Sequence, residues 1–502
     1  MQTIAAIDVG SNAMRLVVGR LGYDDKLETL ENLRLPVRLG QDAFSQGLIG
    51  EQTAQQMLDA FIRFRKVADD YGVERIRAVA TSAMREAENN DILCDRIAQT
   101  TGIEIEIISG EEEARLIHLA VANAINLKGK YAMLIDIGGG SVEVTLSKGN
   151  NILSTESYNM GTVRLLQKLG KKPSNVPFDE LVREYAAATR RRIQREIGKE
   201  KIDLCAGTGG NIEEMGVLRR KLFKRESEQV ITLSELGQLI EELSRMTVRQ
   251  RMRSFKLKPD RADVILPASI VLKIIAQEAQ VKEVRIPNVG LKDGILLDLA
   301  HSLSKAPQPS PREQVWTSAM RLGEKYQFDA EHGELVAYLA GSLFEQMQDL
   351  HGLDAEDKLL LEVAALLHDI GHFIGTLDHD KHAYYIMQAN PLIGLTERGQ
   401  AIVANVMRYH RKSMPNAQDE NFRMLGSRDR LMVIKLATLL RLADAMDVSH
   451  TRRVKNVTMR QSKKKWFLKL EGENGLSLEN WTLAKRRSLF QDVFGMKLEI
   501  ET

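Results

Sequence analysis

The stretch Leu134 to Val144 reads L-I-D-I-G-G-G-S-V-E-V, and it sets residue types suited to phosphate chemistry side by side. The apolar run Tyr131 to Ile135 delivers an acid, Asp136. Gly138, Gly139, Gly140 and Ser141 follow, and Val142, Glu143, Val144 resume the alternation of a strand. A hairpin with a glycine-packed tip is expected. Glycine lets backbone N–H groups approach an anion with no side chain in the way. A carboxylate beside such a loop could hold a hard cation, Mg²⁺ through water being the natural choice. A lone glycine turn would carry little weight; two echoes elsewhere in the chain add it.

The chain start repeats the pattern. Thr3 to Val18 is an apolar strand ending in Asp8, then Gly10, Ser11 and Asn12, then a second strand. A third glycine loop, Ala206 to Asn211, reads A-G-T-G-G-N and carries Gly207, Thr208 and Gly209 between a short strand and a helical segment. Two acid-bearing hairpins and a later glycine loop, in that order, form an internal repeat. The order resembles the actin, sugar-kinase and chaperone-ATPase superfold (ASKHA, ribonuclease H-like), in which two α/β halves face each other across a phosphate-binding cleft.

Further elements would position this chemistry. Met57, Phe61, Phe64 and Ala68 recur at helical spacing within Glu51 to Tyr71. Thr81 and Ser82 can cap the next helix, with Arg85 one turn in, where an arginine can clamp phosphate or lie on a solvated face. Ser109 with Glu112 three residues on makes a capping box. Glu113 is left over in the same first turn, and a carboxylate there could accept a proton from an attacking water.

These residues carry a family resemblance. D-V-G-S-N-x-x-R-L from Asp8, T-S-A-x-R-x-A-x-N from Thr81, S-G-E-E-E-A-R-L-I from Ser109, D-I-G-G-G-S-x-E from Asp136 and N-M-G-x-V-R-L from Asn159 resemble the Ppx/GppA family of exopolyphosphatases and guanosine pentaphosphate phosphohydrolases. The resemblance implies Glu113 as general base and Asp136 as a Mg²⁺ ligand, with Glu143 an acid near the metal; Asp8, the matching acid of the first hairpin, is taken with them. It implies phosphate contacts from Gly10, Ser11, Asn12, Arg85, Gly138, Gly139, Gly140 and Ser141. The third loop, Gly207, Thr208 and Gly209, is counted with these, although many members read S-G-T there.

At 502 residues the chain has room for three or four domains. A net charge of +2 makes it neither a polyanion nor a general nucleic-acid binder, so specific nucleic acid is not expected as a partner. Two distant cysteines, Cys94 and Cys205, no leader-like start and no apolar run of about 18 residues suggest a cytoplasmic protein without a membrane partner. The proline-rich S-K-A-P-Q-P-S-P-R marks a linker at 304–312. The expected division is actin-like domains at 1–124 and 125–303, that linker, an all-α domain at 313–450 and a small α+β module at 451–502.

The third domain holds most of the ten histidines. His332, then L-L-H-D-I-G-H with His368 and Asp369, then Asp444, resemble the order of the HD phosphohydrolase superfamily. The resemblance implies one divalent metal on those four residues, with His382 and His410 candidates for a second. A domain of this type that serves only dimerisation or substrate guidance is the alternative. Basic clusters at Arg249, Arg251, Arg253 and at Lys463, Lys464, Lys465 could guide a polyanion or be solvated faces.

The reading is a Mg²⁺-dependent phosphoric anhydride hydrolase, a homodimer, with a monovalent cation as a further possible assistant. Inorganic polyphosphate is the preferred substrate, because a long positive track suits a long polyanion; guanosine pentaphosphate is the runner-up. An ATP-binding kinase or ATPase of the same superfold, and a polyanion-binding module with a signalling HD domain, are alternatives of other classes.

Overall fold

The computed structural model describes residues 2–22, 26–170, 176–198, 200–303, 311–411, 414–462, 465–473 and 475–501. Lys463 and Lys464 lie outside these residues, as does most of the proline-rich stretch. The chain divides into two compact units, Met1–Pro309 and Ser310–Thr502.

The first unit holds two mixed sheets. Strands β1 (Gln2–Val9), β2 (Met14–Leu21), β3 (Leu27–Leu35), β4 (Arg75–Ala80) and β5 (Ile105–Ile107) form a sheet in the order β3-β2-β1-β4-β5. Strands β6 (Tyr131–Ile137), β7 (Val142–Lys148), β8 (Asn151–Tyr158), β9 (Leu204–Thr208), β10 (Val230–Thr232) and β11 (Glu283–Arg285) form the other, in the order β10-β11-β9-β6-β7-β8. Each sheet opens with an antiparallel three-strand meander and continues in parallel from its first strand, β1 to β4 and β6 to β9. This is the actin-like repeat. β1 and β6 are apolar over nearly their whole length because helices cover both faces of a central strand.

Residues 178–197 form two helices, Phe178–Ala187 and Arg190–Ile197. Pro267 is the third residue of helix Ile265–Glu278; a proline in the first turn forfeits no intrahelical N–H bond. The capping box at Ser109 is half formed. The serine oxygen accepts from the Glu112 backbone N–H, while the Glu112 carboxylate pairs with Arg115 at 2.7 Å and with Arg77 at 3.4 Å.

In the second unit, helices Ala330–Gln346, Ala355–Leu367, His379–Ala389, Glu397–Arg408 and Ser427–Ala445 pack into one hydrophobic core. The core continues into a sheet of β12 (Val454–Ser462), β13 (Lys465–Gly472) and β14 (Lys497–Glu501), with helix Ser477–Phe494 crossing between the parallel β13 and β14. The helix Pro311–Lys325 begins inside the stretch expected to be linker.

Candidate active site

The two hairpins of the first unit meet tip to tip. A Cβ built on Gly139 would stand 2.9 Å from Ser11 Cβ, so the loops touch where only glycine fits. Between them, β1, β6, β9 and their following loops line a cleft with Asp8, Gly10, Ser11, Asn12, Glu113, Asp136, Gly138, Gly139, Ser141 and Gly209.

The loop after β6 is held by the N-terminus of helix Thr162–Leu169. Thr162 N–H donates to Gly138 O at 3.1 Å, Val163 and Arg164 N–H to Gly139 O at 2.9 and 3.1 Å, and Gly161 N–H to Gly140 O at 3.2 Å. In a trans peptide the N–H points opposite the C=O. Carbonyls of Gly138, Gly139 and Gly140 turned to the helix therefore turn the N–H groups of Gly139, Gly140 and Ser141 the other way. Arg164 locks the arrangement, donating to Gly140 O at 2.7 Å and stacking over Phe44.

Three carboxylates converge beside this loop. Ligand atoms of Glu113, Asp136 and Glu143 lie within 4.8 Å of one another. Asp136 and Glu143 are direct cross-strand partners in the β6–β7 register, a like-charge pairing that costs stability. Thr208 Oγ1 donates to Asp136 Oδ1 at 2.5 Å and Ser157 Oγ to Glu143 Oε1 at 3.0 Å. The second oxygens of Glu113 and Glu143 are buried without a hydrogen-bond partner. Burial pushes the Asp136 carboxyl up to about 6, against the Thr208 hydrogen bond. Burial and neighbouring Asp136 push Glu143 up to about 7. Glu113 is raised well above the usual carboxylate range, first by burial and then by Glu143. Orphaned carboxylate oxygens with this repulsion fit a hard divalent cation.

The cleft is also lined by cations that sequence reasoning left unassigned. Arg15, Arg34, Arg261 and Lys292 line the cleft. Burial first, and then Arg34 and Arg15, bring the Arg261 guanidinium down to about 10. Arg15 belongs to the D-V-G-S-N-x-x-R-L motif, so its signal was present. Arg261 comes from a distant helix and had none.

Several expected site residues have other partners or other places. Asp8 is absent from the carboxylate group because its cross-strand partner is Arg15, which it pairs with at 3.3 Å. Arg85 does not line the cleft; it donates to Ile108 O and lies 3.9 Å from Glu113 Oε2, behind that carboxylate. Gly207 sits inside β9, where a Cβ would meet Ile212 and Val284, so it serves packing. Gly140 packs under Phe44 and Ser82. Thr208 acts on the site through Asp136 rather than from the cleft surface. Asn12 is held by Asp260 O and Arg38.

The basic clusters are engaged too. Arg251 is buried and donates to Leu243 O and Ala262 O. Lys465 pairs with Glu499 at 2.7 Å, whereas Arg249 and Arg253 are exposed.

In the second unit, His332, His368, Asp369, His410 and Asp444 come together. His382 does not join them; His379 does, 3.3 Å from Asp369 Oδ1. Both lie in D-H-D-K-H; His379 is the first residue of its helix and His382 lies one turn along it.

Fold and cleft together define a two-lobed hydrolase of phosphoric anhydrides. The sequence matches the Ppx/GppA phosphatase family over residues 20–303 and domain III of Ppx/GppA phosphatases over 316–487, and the chain belongs to this family. The guanosine-5'-triphosphate,3'-diphosphate pyrophosphatase of Vibrio parahaemolyticus is 28% identical, covering 87% of this chain and 86% of that protein. The protein of the same name from Photobacterium profundum is 25% identical over the same shares. An exopolyphosphatase structure from Cytophaga hutchinsonii is 25% identical with a TM-score of 0.57, covering 60% of this chain and 98% of that one. The Aquifex aeolicus Ppx/GppA structure, 24% identical with a TM-score of 0.53, shares the fold and covers 61% of this chain and 99% of its own. Among the described residues no helix is long and apolar enough to cross a membrane.

Proposed function

We propose that the cleft removes the terminal phosphate of guanosine pentaphosphate, leaving the tetraphosphate. The observation that carries this is a cleft lined by the carboxylates of Glu113 and Asp136, by Arg15, Arg34 and Arg261, and by the glycine loop after β6. That is the layout of a site for one phosphate chain end. The relatives named for guanosine pentaphosphate cleavage match the chain across both units, whereas the exopolyphosphatase structure matches about the length of the first. The long positive track that would favour polyphosphate is weakened: Arg251 is buried and Lys465 is paired. Inorganic polyphosphate is the second reading, supported by the exopolyphosphatase neighbour.

In this reading the N–H groups after β6, with Arg15, Arg34 and Arg261, bind and orient the phosphates. A Mg²⁺-class ion held by Asp136 and Glu143 would neutralise charge on the phosphoryl oxygens. Glu113, whose Oε2 makes no hydrogen bond and lies 3.9 Å from Arg85, would receive the proton of a water. The water oxygen bonds to the terminal phosphorus, the bridging P–O bond breaks on the far side, and Glu113 takes the proton. Its raised proton affinity brings it nearer the working range of a base, and Arg85 behind it holds its direction.

Phosphate release from guanosine pentaphosphate and from long-chain polyphosphate, with Mg²⁺, tests the proposal. Glu113→Gln lowers kcat about 10²- to 10⁴-fold while leaving the fold intact. The wild type shows the higher kcat/KM on the nucleotide. Undiminished turnover in Glu113→Gln refutes the assigned base, and a higher kcat/KM on polyphosphate overturns the substrate order.

A further inference from the structure

Glu113 stands in the first turn of helix Gly110–Ala124, between Glu112 and Arg115, two residues that turn away from the chemistry. Arg115 Nε and Nη2 donate to Glu112 Oε2 and Oε1 at 2.7 and 2.8 Å, and Nη2 donates also to Asp298 Oδ1 at 2.9 Å. Arg77, on β4, donates through Nη1 to Asp298 Oδ2 at 2.6 Å and through Nη2 to Glu112 Oε1 at 3.4 Å. Each guanidinium meets both carboxylates, so the four groups close a ring. Their side chains are between 20% and 29% exposed, and the pairs are screened only in part.

The ring ties three elements together: the first turn of helix Gly110–Ala124, strand β4, and helix Leu291–Leu303, which carries Asp298. The two helices also touch through their backbones. A Cβ built on Gly294 would stand 2.0 Å from Leu116 O and 2.6 Å from Leu116 C, so only glycine permits this approach, one turn past Glu113. Leu116 and Ile117 share an apolar cluster with Leu291, Ile295 and Leu296.

The carboxylate of Glu113 has little to hold it directly. Its Oε2 makes no hydrogen bond and Arg85 lies 3.9 Å away, so its place is set by the helix that bears it. Residues three apart share a helix face, as Glu112 and Arg115 do, and the neighbouring Glu113 points about 100° away. A glutamate carboxylate lies about 5–6 Å from the helix axis, so a rotation of about 10° sweeps it through about 1 Å. A displacement of that size at a reacting group can cost up to about 10²-fold in rate.

We propose that Asp298 is a positioning residue for hydrolysis: by bridging Arg77 and Arg115 it fixes the rotation of helix Gly110–Ala124 and with it the place of Glu113. The inference rests on the reading of Glu113 as the base.

The test measures phosphate release, with Mg²⁺, on whichever of guanosine pentaphosphate and polyphosphate gives the higher kcat/KM. Asp298→Asn is made in the native chain and in the Glu113→Gln background. In the native chain it lowers kcat about 10-fold and leaves KM within about twofold. In the Glu113→Gln background the same change moves kcat by less than about twofold, because no base is left to misplace. A residue that served stability alone would lower both backgrounds by one factor. Asp298→Glu recovers part of the rate. Glu106→Gln, which removes only the outer partner of Arg77 at 3.0 Å, keeps the wild-type kcat. Should Asp298→Asn fail to fold, Arg77→Lys keeps a charge without the two-carboxylate bridge and gives the same pattern. An unchanged kcat in Asp298→Asn, or an equal fall in both backgrounds, overturns the proposal. Undiminished turnover in Glu113→Gln alone overturns the base itself and, with it, this role.

Discussion

Replacing Gly161 by alanine sets one methyl group where the phosphate-facing loop already stands. The backbone conformation at Gly161, φ −61° and ψ 155°, is ordinary for alanine, so any penalty is steric. The added Cβ would lie under 3.0 Å from Gly140 C, Ser141 N and Gly139 C, where ordinary contact begins at 3.4 Å. All three neighbours are backbone, so no side chain can rotate away. The loop must retreat by about 1 Å, or helix Thr162–Leu169 must. Forcing a methyl group into packed structure costs about 1–3 kcal/mol, offset by about 0.4–1 kcal/mol from the stiffer unfolded chain. A net loss of roughly 1–2 kcal/mol leaves a folded protein. The kinetic effect is larger, since a misplacement of about 1 Å in positioning groups can cost roughly 10²-fold. Gly161→Ala therefore lowers kcat/KM for phosphate release by about 10²-fold, while guanidinium unfolding shows only the modest loss. Gly426→Ala, where a Cβ meets nothing within 4 Å, is the control. Wild-type activity in Gly161→Ala would refute the claim that the helix N-terminus sets the loop.

Arg261→Ala removes one of the crowded cations of the cleft. It raises KM for guanosine pentaphosphate about 10- to 100-fold, the worth of one charge-assisted hydrogen bond, with little change in thermal unfolding; an unchanged KM contradicts the phosphate role. The metal-free protein carries a pH signature. The Glu143 carboxyl is raised from its ordinary 4.5 to about 7, so its contribution to stability is whole below about pH 4.5 and is lost as pH rises toward 7, on the order of 3 kcal/mol. Denaturant unfolding in chelator at a series of pH values shows this decline, and Glu143→Gln makes it shallower; parallel slopes in the two proteins would count against it.

The sequence by itself determined the parts whose chemistry is local. An apolar strand ending in an acid and glycines suits a hairpin tip, and its echo at Asp8 to Asn12 gave that reading weight, so Asp136 and the loop to Ser141 were legible from residue type and repetition. Glu113 was legible because the neighbouring Glu112 had a capping role to fill, though the structure gives that carboxylate to Arg115 and Arg77 instead. Tertiary structure decided what depends on which residues meet across the chain. The register of β1 with β2 sets Arg15 against Asp8 and takes that acid out of the carboxylate group, whereas the same register in β6 and β7 pairs Asp136 with Glu143. Arg261 enters the cleft from 250 residues beyond Ser11, a distance over which no periodicity speaks. Arg251 sits in a visibly basic run and is nonetheless buried, because three carbonyl hydrogen bonds satisfy its guanidinium. His379 rather than His382 stands beside Asp369, because His379 is the first residue of its helix and His382 lies one turn further along. Composition and spacing say which groups are available; the packing of strands and helices says which of them share a volume, and electrostatics acts only within that volume.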